Sequence, residues 1–189
     1  MASVARAHPN IALVKYWGKA NDELIIPVAG SMSMTLDQFA TTTSVELATG
    51  NDTFELNGTT ADAKATGRTT AFLDVVRSLA AEAGLDTAEA HAKVVSTNEG
   101  PTAAGMASSA SGFAALATAA AHAYGLDLSV KDLSRLARRG SGSASRSLID
   151  RFAVWHAGTS DATSYAEAIS APDMAMVAVT VNAQAQKDS

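Results

Sequence analysis

Pro101-Thr102-Ala103-Ala104-Gly105-Met106-Ala107-Ser108-Ser109-Ala110-Ser111-Gly112 runs directly into an Ala/Leu/Phe segment that ends at Tyr124. Small side chains let backbone N–H groups come close to an anion. A helix that starts there adds unpaired N–H groups and the positive end of its dipole. The stretch therefore has the build of a phosphate-cradling loop feeding a helix. The same composition also serves close helix packing, and the loop alone does not choose between the two.

The surrounding chain narrows the choice. Its 189 residues are enough for one domain with a real core, and 47% of them are hydrophobic although only 5% are aromatic. A net charge of −5 argues against a broad basic surface for nucleic acid. With no cysteine there is neither disulfide nor thiolate chemistry. His8, His91, His122 and His156 are scattered, so a zinc site has little support. The first residues lack an apolar signal core, and no run approaches the roughly 18 apolar residues that span a bilayer. These features lead to the expectation of a cytoplasmic protein without membrane segments.

Ser3 to Ala7, Leu24 to Ile26 and Thr42 to Ala48 read as strands. Thr53 to Leu56 follows a Thr-Gly-Asn-Asp turn, which predicts a hairpin with the preceding strand. Phe72, Val75, Val76 and Leu79 then fall on one helix face, with Gly84 at its end. Ala92 to Thr97 reads as a strand before the small-residue loop, and Gly125 closes the long helix. Ser129 and Asp132 resemble a capping box for a helix carrying Leu133 and Leu136 and ending in Arg138-Arg139-Gly140. Phe152 to Ala157 and Met174 to Val181 read as further strands. Helices and strands mix without strict alternation, which predicts an α+β fold.

Two more segments carry charge suited to a phosphorylated acid. Asn10-Ile11-Ala12-Leu13-Val14-Lys15-Tyr16-Trp17-Gly18-Lys19 sets two mobile lysine charges around an aromatic pair. Arg139-Gly140-Ser141-Gly142-Ser143-Ala144-Ser145-Arg146-Ser147 alternates hydroxyls with small residues and ends on a guanidinium able to grip a carboxylate or phosphate with two parallel bonds. Read by themselves, the first is equally a strand end with solvated lysines and the second a flexible surface loop.

These two segments and Pro101 to Ala110, taken in order, closely resemble the diphosphomevalonate decarboxylase family of the GHMP kinase superfamily. The resemblance runs from about Ala5 to about Asn182. It implies a two-lobed α+β fold whose N-terminal lobe is like ribosomal protein S5 domain 2, with residues 1–182 as that lobe, residues 183–189 as the start of the second, and the second lobe largely missing. It implies ATP and Mg2+, phosphorylation of a tertiary hydroxyl of mevalonate 5-diphosphate, then loss of phosphate and CO2 to give isopentenyl diphosphate. By motif position, Pro101, Ala104, Gly105, Met106, Ala107, Ser108 and Ser109 would wrap the nucleotide phosphates. Tyr16, Trp17, Gly18 and Lys19 would face substrate, with Lys19 catalytic near the moving phosphoryl group. Ser141, Gly142, Ser143, Ala144, Ser145 and Arg146 would hold substrate, with Arg146 catalytic and on the carboxylate, and Arg68 would bind diphosphate. The resemblance assigns no metal ligand and is compatible with a homodimer, while the charge and the lack of a long apolar run lead to the expectation of no nucleic-acid or membrane partner.

The chain departs from the family pattern in three ways. Ser145 stands where many members have cysteine. Val28-Ala29-Gly30-Ser31 stands where an asparagine-containing version is common. The Asp-Ala-Gly-Pro-type segment that bears the family's catalytic aspartate is absent. A monophosphate decarboxylase or mevalonate 3-kinase of the same branch, a nucleotide-binding module without turnover, and a plain structural domain are the competing readings. The absent aspartate leads us to expect that the 189-residue chain alone releases no CO2 from mevalonate diphosphate. A radiolabelled CO2-release assay checks this, and turnover at the rate of a full-length relative would contradict it.

Overall fold

The computed structural model describes residues 1–100 and 108–177. Among these described residues, eleven strands and three α-helices follow in chain order. They are β1 (Ser3–Ala7), β2 (Asn10–Val14), β3 (Lys19–Asn21), β4 (Ile26–Pro27), β5 (Ser31–Thr35), β6 (Thr41–Ala48), β7 (Thr53–Leu56), β8 (Thr59–Thr60), α1 (Ala63–Glu82), β9 (His91–Asn98), α2 (Ser108–Tyr124), α3 (Val130–Gly140), β10 (Phe152–Trp155) and β11 (Ala166–Ala168). A five-stranded sheet has the order β1-β6-β9-β7-β8, and a four-stranded sheet the order β11-β10-β5-β2. The α+β expectation holds.

The helices begin and end where local chemistry directs. The Asp62 carboxylate accepts the Ala65 amide at 2.7 Å and starts α1. Gly84, at φ +69°, takes the left-handed conformation that stops it. The Ser129 hydroxyl accepts the Asp132 amide at 3.1 Å and donates to the Asp132 carboxylate at 2.6 Å, so the expected capping arrangement opens α3. In α2, Ala114, Ala115, Ala117, Ala119, Ala120 and Ala121 are all buried. This helix is apolar nearly all round because it packs on β1 and β6 while touching α1 and α3. Phe72, Leu73 and Val76 of α1 complete the main core with Val45 of β6 and Val94 of β9. A second, smaller core of Ile149, Ala153, Trp155 and Ala166 lies at the four-stranded sheet, with Tyr16 packed against it.

Three predicted strand features are corrected. Thr42–Ala48 and Thr53–Leu56 form strands but not a hairpin. Strand β9 lies between them, antiparallel to β6 and parallel to β7, with Ala48 opposite His91 and Thr53 opposite Lys93. The connecting turn crosses the end of β9 because Asp52, nearly sealed from solvent, accepts the Ala92 amide at 2.9 Å and pairs with Arg77 at 2.9 Å. Leu24 to Ile26 is mostly turn. The Asn21 side chain captures the Leu24 amide at 2.7 Å and Ile25 sits at φ +53°, leaving only Ile26 to enter β4. Met174 to Val177 form no strand and are exposed, since no described strand offers them a ladder. Residues 178–181, and the expected domain boundary at 182/183, lie outside the described residues.

Burial alone would raise the Asp52 carboxyl. Hydrogen bonds from Arg77 and the Ala92 amide, with the Arg77 charge, outweigh it and hold the group below the ordinary carboxylate range. A folded-state value below the unfolded one adds stability at neutral pH that is lost as pH falls through the acid range below about 4. Asp52→Asn is therefore expected to destabilise the fold by about 2 kcal/mol at pH 7. In urea unfolding that difference should shrink as pH is lowered below about 4 and the wild-type carboxyl gains its proton.

Candidate active site

Strands β2, β5 and β10 lie side by side and present a polar cradle. In the ladder Ala12 faces Ser33, and Ser33 faces Ala153. The two-residue period of β5 puts Ser31 and Ser33 on one face, both buried. Into this face projects Arg146, at the end of a 3-10 turn over Gly142–Arg146 and only 2% exposed. Its Nε donates to the Ser33 hydroxyl at 2.9 Å, one terminal nitrogen donates to the Ser31 hydroxyl, and the other reaches the Asn10 carbonyl oxygen at 3.3 Å. Asn10 is held in turn, its amide donating to the Ser143 carbonyl at 2.9 Å and the Ser147 hydroxyl at 2.7 Å.

Every group that grips Arg146 is neutral, and among the described residues no carboxylate pairs with it. Burial pushes the guanidinium down to about 10, and Tyr16 nearby offsets part of that. It remains a cation at neutral pH. A buried cation is costly without a counter-charge, so the arrangement is poised to accept an anionic ligand through two parallel hydrogen bonds.

The walls around it are close. The Trp155 ring faces the guanidinium at 5.8 Å, and Tyr16 meets Trp155 edge-on at 4.8 Å. Gly142 fits between them, since a Cβ there would lie 2.7 Å from the Tyr16 hydroxyl and 2.9 Å from the Trp155 ring. The Ser141 and Ser143 hydroxyls are 3.4 Å apart, and the Ser145 hydroxyl closes the turn on the Gly142 carbonyl at 2.8 Å. Ala144 and Ser145 are buried inside this turn. The serine in place of the family's cysteine thus has a hydrogen-bonding role in the turn itself.

A cleft of about 230 Å³ opens beside the start of α2, lined by Arg68, Thr69, Ser96, Asn98, Ser109 and Phe113 among others. Arg68 lies over the Phe113 ring at 5.1 Å and donates to the Gly140 carbonyl at 3.3 Å, which ties this cleft to the segment leading into Ser141. Ser108 and Ser109 begin α2, as expected. The remaining expected loop residues, Pro101, Ala104, Gly105, Met106 and Ala107, lie outside the described residues.

The structure thus brings Tyr16, Gly142, Ser143, Ser145 and Arg146 together, and places Arg68 and Ser109 in the adjoining cleft. It does not bring Trp17 or Lys19 to the cradle. Trp17 is 81% exposed, and Lys19 pairs with Asp22 at 3.2 Å on the surface beside the turn at Gly18. Sequence reasoning assigns no role to Asn10, Ser33 or Trp155. The signals of Asn10 and Ser33 are present but weak: Asn10 opens the first charged segment, and Ser31-Met32-Ser33-Met34 alternates polar and apolar. Among the described residues no group of three or more His, Asp or Glu side chains could hold a metal, and no helix is long and apolar enough to cross a membrane.

A family model described as the diphosphomevalonate decarboxylase-like N-terminal domain matches residues 7–166. Diphosphomevalonate decarboxylase of Bos taurus is 45% identical over 161 residues, covering 79% of this chain and 39% of that protein. The mevalonate diphosphate decarboxylase structure from Enterococcus faecalis superposes with a TM-score of 0.83 at 53% identity, over 90% of this chain and 52% of that one. Another structure, described as a complex with MVAPP, AMPPCP and magnesium, has a TM-score of 0.82 at 53% identity and covers 90% of this chain and 51% of its own. The chain spans about half the length, or less, of the relatives it matches. The architecture is the N-terminal lobe of this GHMP-kinase-like α+β fold.

The fit around Gly142 leads to an expected outcome. Gly142→Ala forces Tyr16 and Trp155 apart, and overpacking of this kind costs about 1–3 kcal/mol. Thermal unfolding should show the loss, and near-ultraviolet circular dichroism should show altered aromatic packing. A variant with unchanged spectrum and melting temperature would contradict the tight fit.

Proposed function

The chain belongs to the diphosphomevalonate decarboxylase-like family through its N-terminal domain, and from that membership we propose that the protein carrying it performs the ATP-dependent decarboxylation of (R)-5-diphosphomevalonate. The products are isopentenyl diphosphate, ADP, phosphate and CO2, which places the protein among carboxy-lyases of isoprenoid biosynthesis. The observation that supports this reading best is Arg146, a buried cation oriented by Asn10, Ser31 and Ser33 and left without a carboxylate partner among the described residues. A substrate carboxylate supplies the counter-charge. The bound guanidinium then fixes the acid group while the tertiary hydroxyl is phosphorylated.

Tyr16 and Gly142 to Ser145 form the wall along which the rest of the substrate lies, and Arg68 offers charge to its diphosphate from the adjoining cleft. Lys19 is assigned to the moving phosphoryl group. Its pair with Asp22, whose side chain is 88% exposed, is a weak surface contact that leaves the ammonium free to turn toward a stronger anion. The residues from Pro101 to Ser109 are assigned to the ATP phosphates. Bound through the nucleotide phosphates rather than an all-protein cage, Mg2+ would neutralise part of their charge. Phosphoryl transfer depends mostly on such positioning and charge. The residue composition supports a cytoplasmic location, and the resemblance is compatible with a homodimer.

Arg146→Lys tests the assignment. Lysine keeps the charge but loses the two-pronged grip, and loss of a charge-assisted hydrogen bond costs about 1.5–3 kcal/mol. In the full-length protein kcat/KM for mevalonate diphosphate is expected to fall about 10- to 100-fold. Unchanged steady-state kinetics would remove Arg146 from the substrate site.

A further inference from the structure

We propose that Arg138 and Asp161 are positioning residues that set the orientation of Trp155 and, through it, the pocket formed by Tyr16 and Arg146. Arg138 lies on α3, three residues ahead of Ser141, and is fully buried. One terminal nitrogen donates to the Asp161 carboxylate and the other to the Ser164 carbonyl, while its Nε has no partner among the described residues. Asp161 is also gripped by Arg135, which bonds Asp132 at 2.6 Å. The Ser164 hydroxyl accepts the Trp155 indole N–H at 3.1 Å and donates to the His156 carbonyl at 3.2 Å. A continuous chain of bonds therefore runs from Arg138 on α3 through Ser164 to the ring that faces Arg146 and receives Tyr16, while Asp161 holds the other arm of the same guanidinium.

A bland explanation is that Arg138 only stabilises the fold. Burying a charge with one donor unpaired is a poor way to gain stability, because an apolar side chain of similar volume does as well or better. What the guanidinium supplies is direction. Two divergent donors fix a carboxylate and a main-chain carbonyl on the same short segment, and that segment carries the only hydrogen-bond acceptor described for the Trp155 indole. The bond chain also begins on the helix that delivers Ser141 to Arg146, so both walls of the pocket share one anchor.

The test uses the 189-residue chain with Trp17→Phe, which leaves Trp155 as its single tryptophan. Acrylamide quenching of the buried ring is read alongside far-ultraviolet circular dichroism, which reports folding. Asp161→Asn and Arg138→Met are expected to raise the quenching constant at least twofold at temperatures where the helical signal is intact. Arg138→Lys, with charge but a single donor point, should fall between. If Arg138→Met does not fold, the near-isosteric Asp161→Asn decides. A second arm rests on the proposed substrate and uses the full-length protein: calorimetric titration with mevalonate diphosphate should show affinity at least fivefold weaker in Asp161→Asn, with ATP affinity unchanged. Should the full-length protein bind no mevalonate diphosphate, the substrate reading fails while the quenching arm still judges the positioning role. Unchanged quenching in a folded variant, or raised quenching with unaltered mevalonate diphosphate affinity, overturns the proposal.

Discussion

A guanidinium sealed from water and held only by neutral groups is the constraint around which the site is arranged. Arg146 takes its orientation from two serine hydroxyls and an asparagine carbonyl oxygen. These dipoles orient the fork without cancelling its charge. An aspartate in place of Ser31 or Ser33 would satisfy the cation internally and leave nothing to recruit a ligand. The demand propagates outward. Two hydroxyls at every second position of β5 need a strand there. Asn10 must reach across from β2, and the turn that carries Arg146 must come close enough that only glycine fits at position 142.

Arg138 meets the same burial problem the opposite way. It is as buried as Arg146, yet an acid faces it. Burial lowers its pKa, and the Asp161 charge offsets part of that. Two buried arginines eight positions apart thus have different electrostatic fates. One is neutralised within the protein and serves as an anchor. The other keeps its charge available. Trp155 lies between them, bonded toward the first through Ser164 and facing the second with its ring.

Much of this was legible in the sequence, and the reasons for the misses are physical. The helices were readable because their signals are local. Ser129, Gly84 and Gly125 act on neighbours a few residues away. The Arg139–Ser147 segment was assigned to a site through the family resemblance, since its composition by itself fits a flexible surface loop as well. The cradle was harder, since β2 and β5 are partly polar and owe their strand form to pairing with residues far along the chain. The failed hairpin has the same cause. A turn sequence specifies that the chain reverses. It does not specify that a strand 40 residues later will occupy the adjacent place, and Asp52 shows its role only once the Ala92 amide is beside it. Trp155 gave no signal because its importance lies in a contact with Ser164, which no periodicity encodes.

The position of β9 in the five-stranded sheet has a consequence for biosynthesis. Chain order and spatial order disagree there: β1 and β6 form one half, β7 and β8 the other, and the strand that joins them is made last. Until residue 98 has cleared the ribosomal exit tunnel, a nascent chain carries two partial sheets with open inner edges. Such edges invite pairing with other chains, and sheet closure through distant partners is slow. α1 is translated in this interval, and its apolar face of Phe72, Leu73 and Val76 has no complete sheet to cover. The emerging polypeptide is therefore most in need of a holding chaperone between the synthesis of β6 and that of β9, a window set by topology alone.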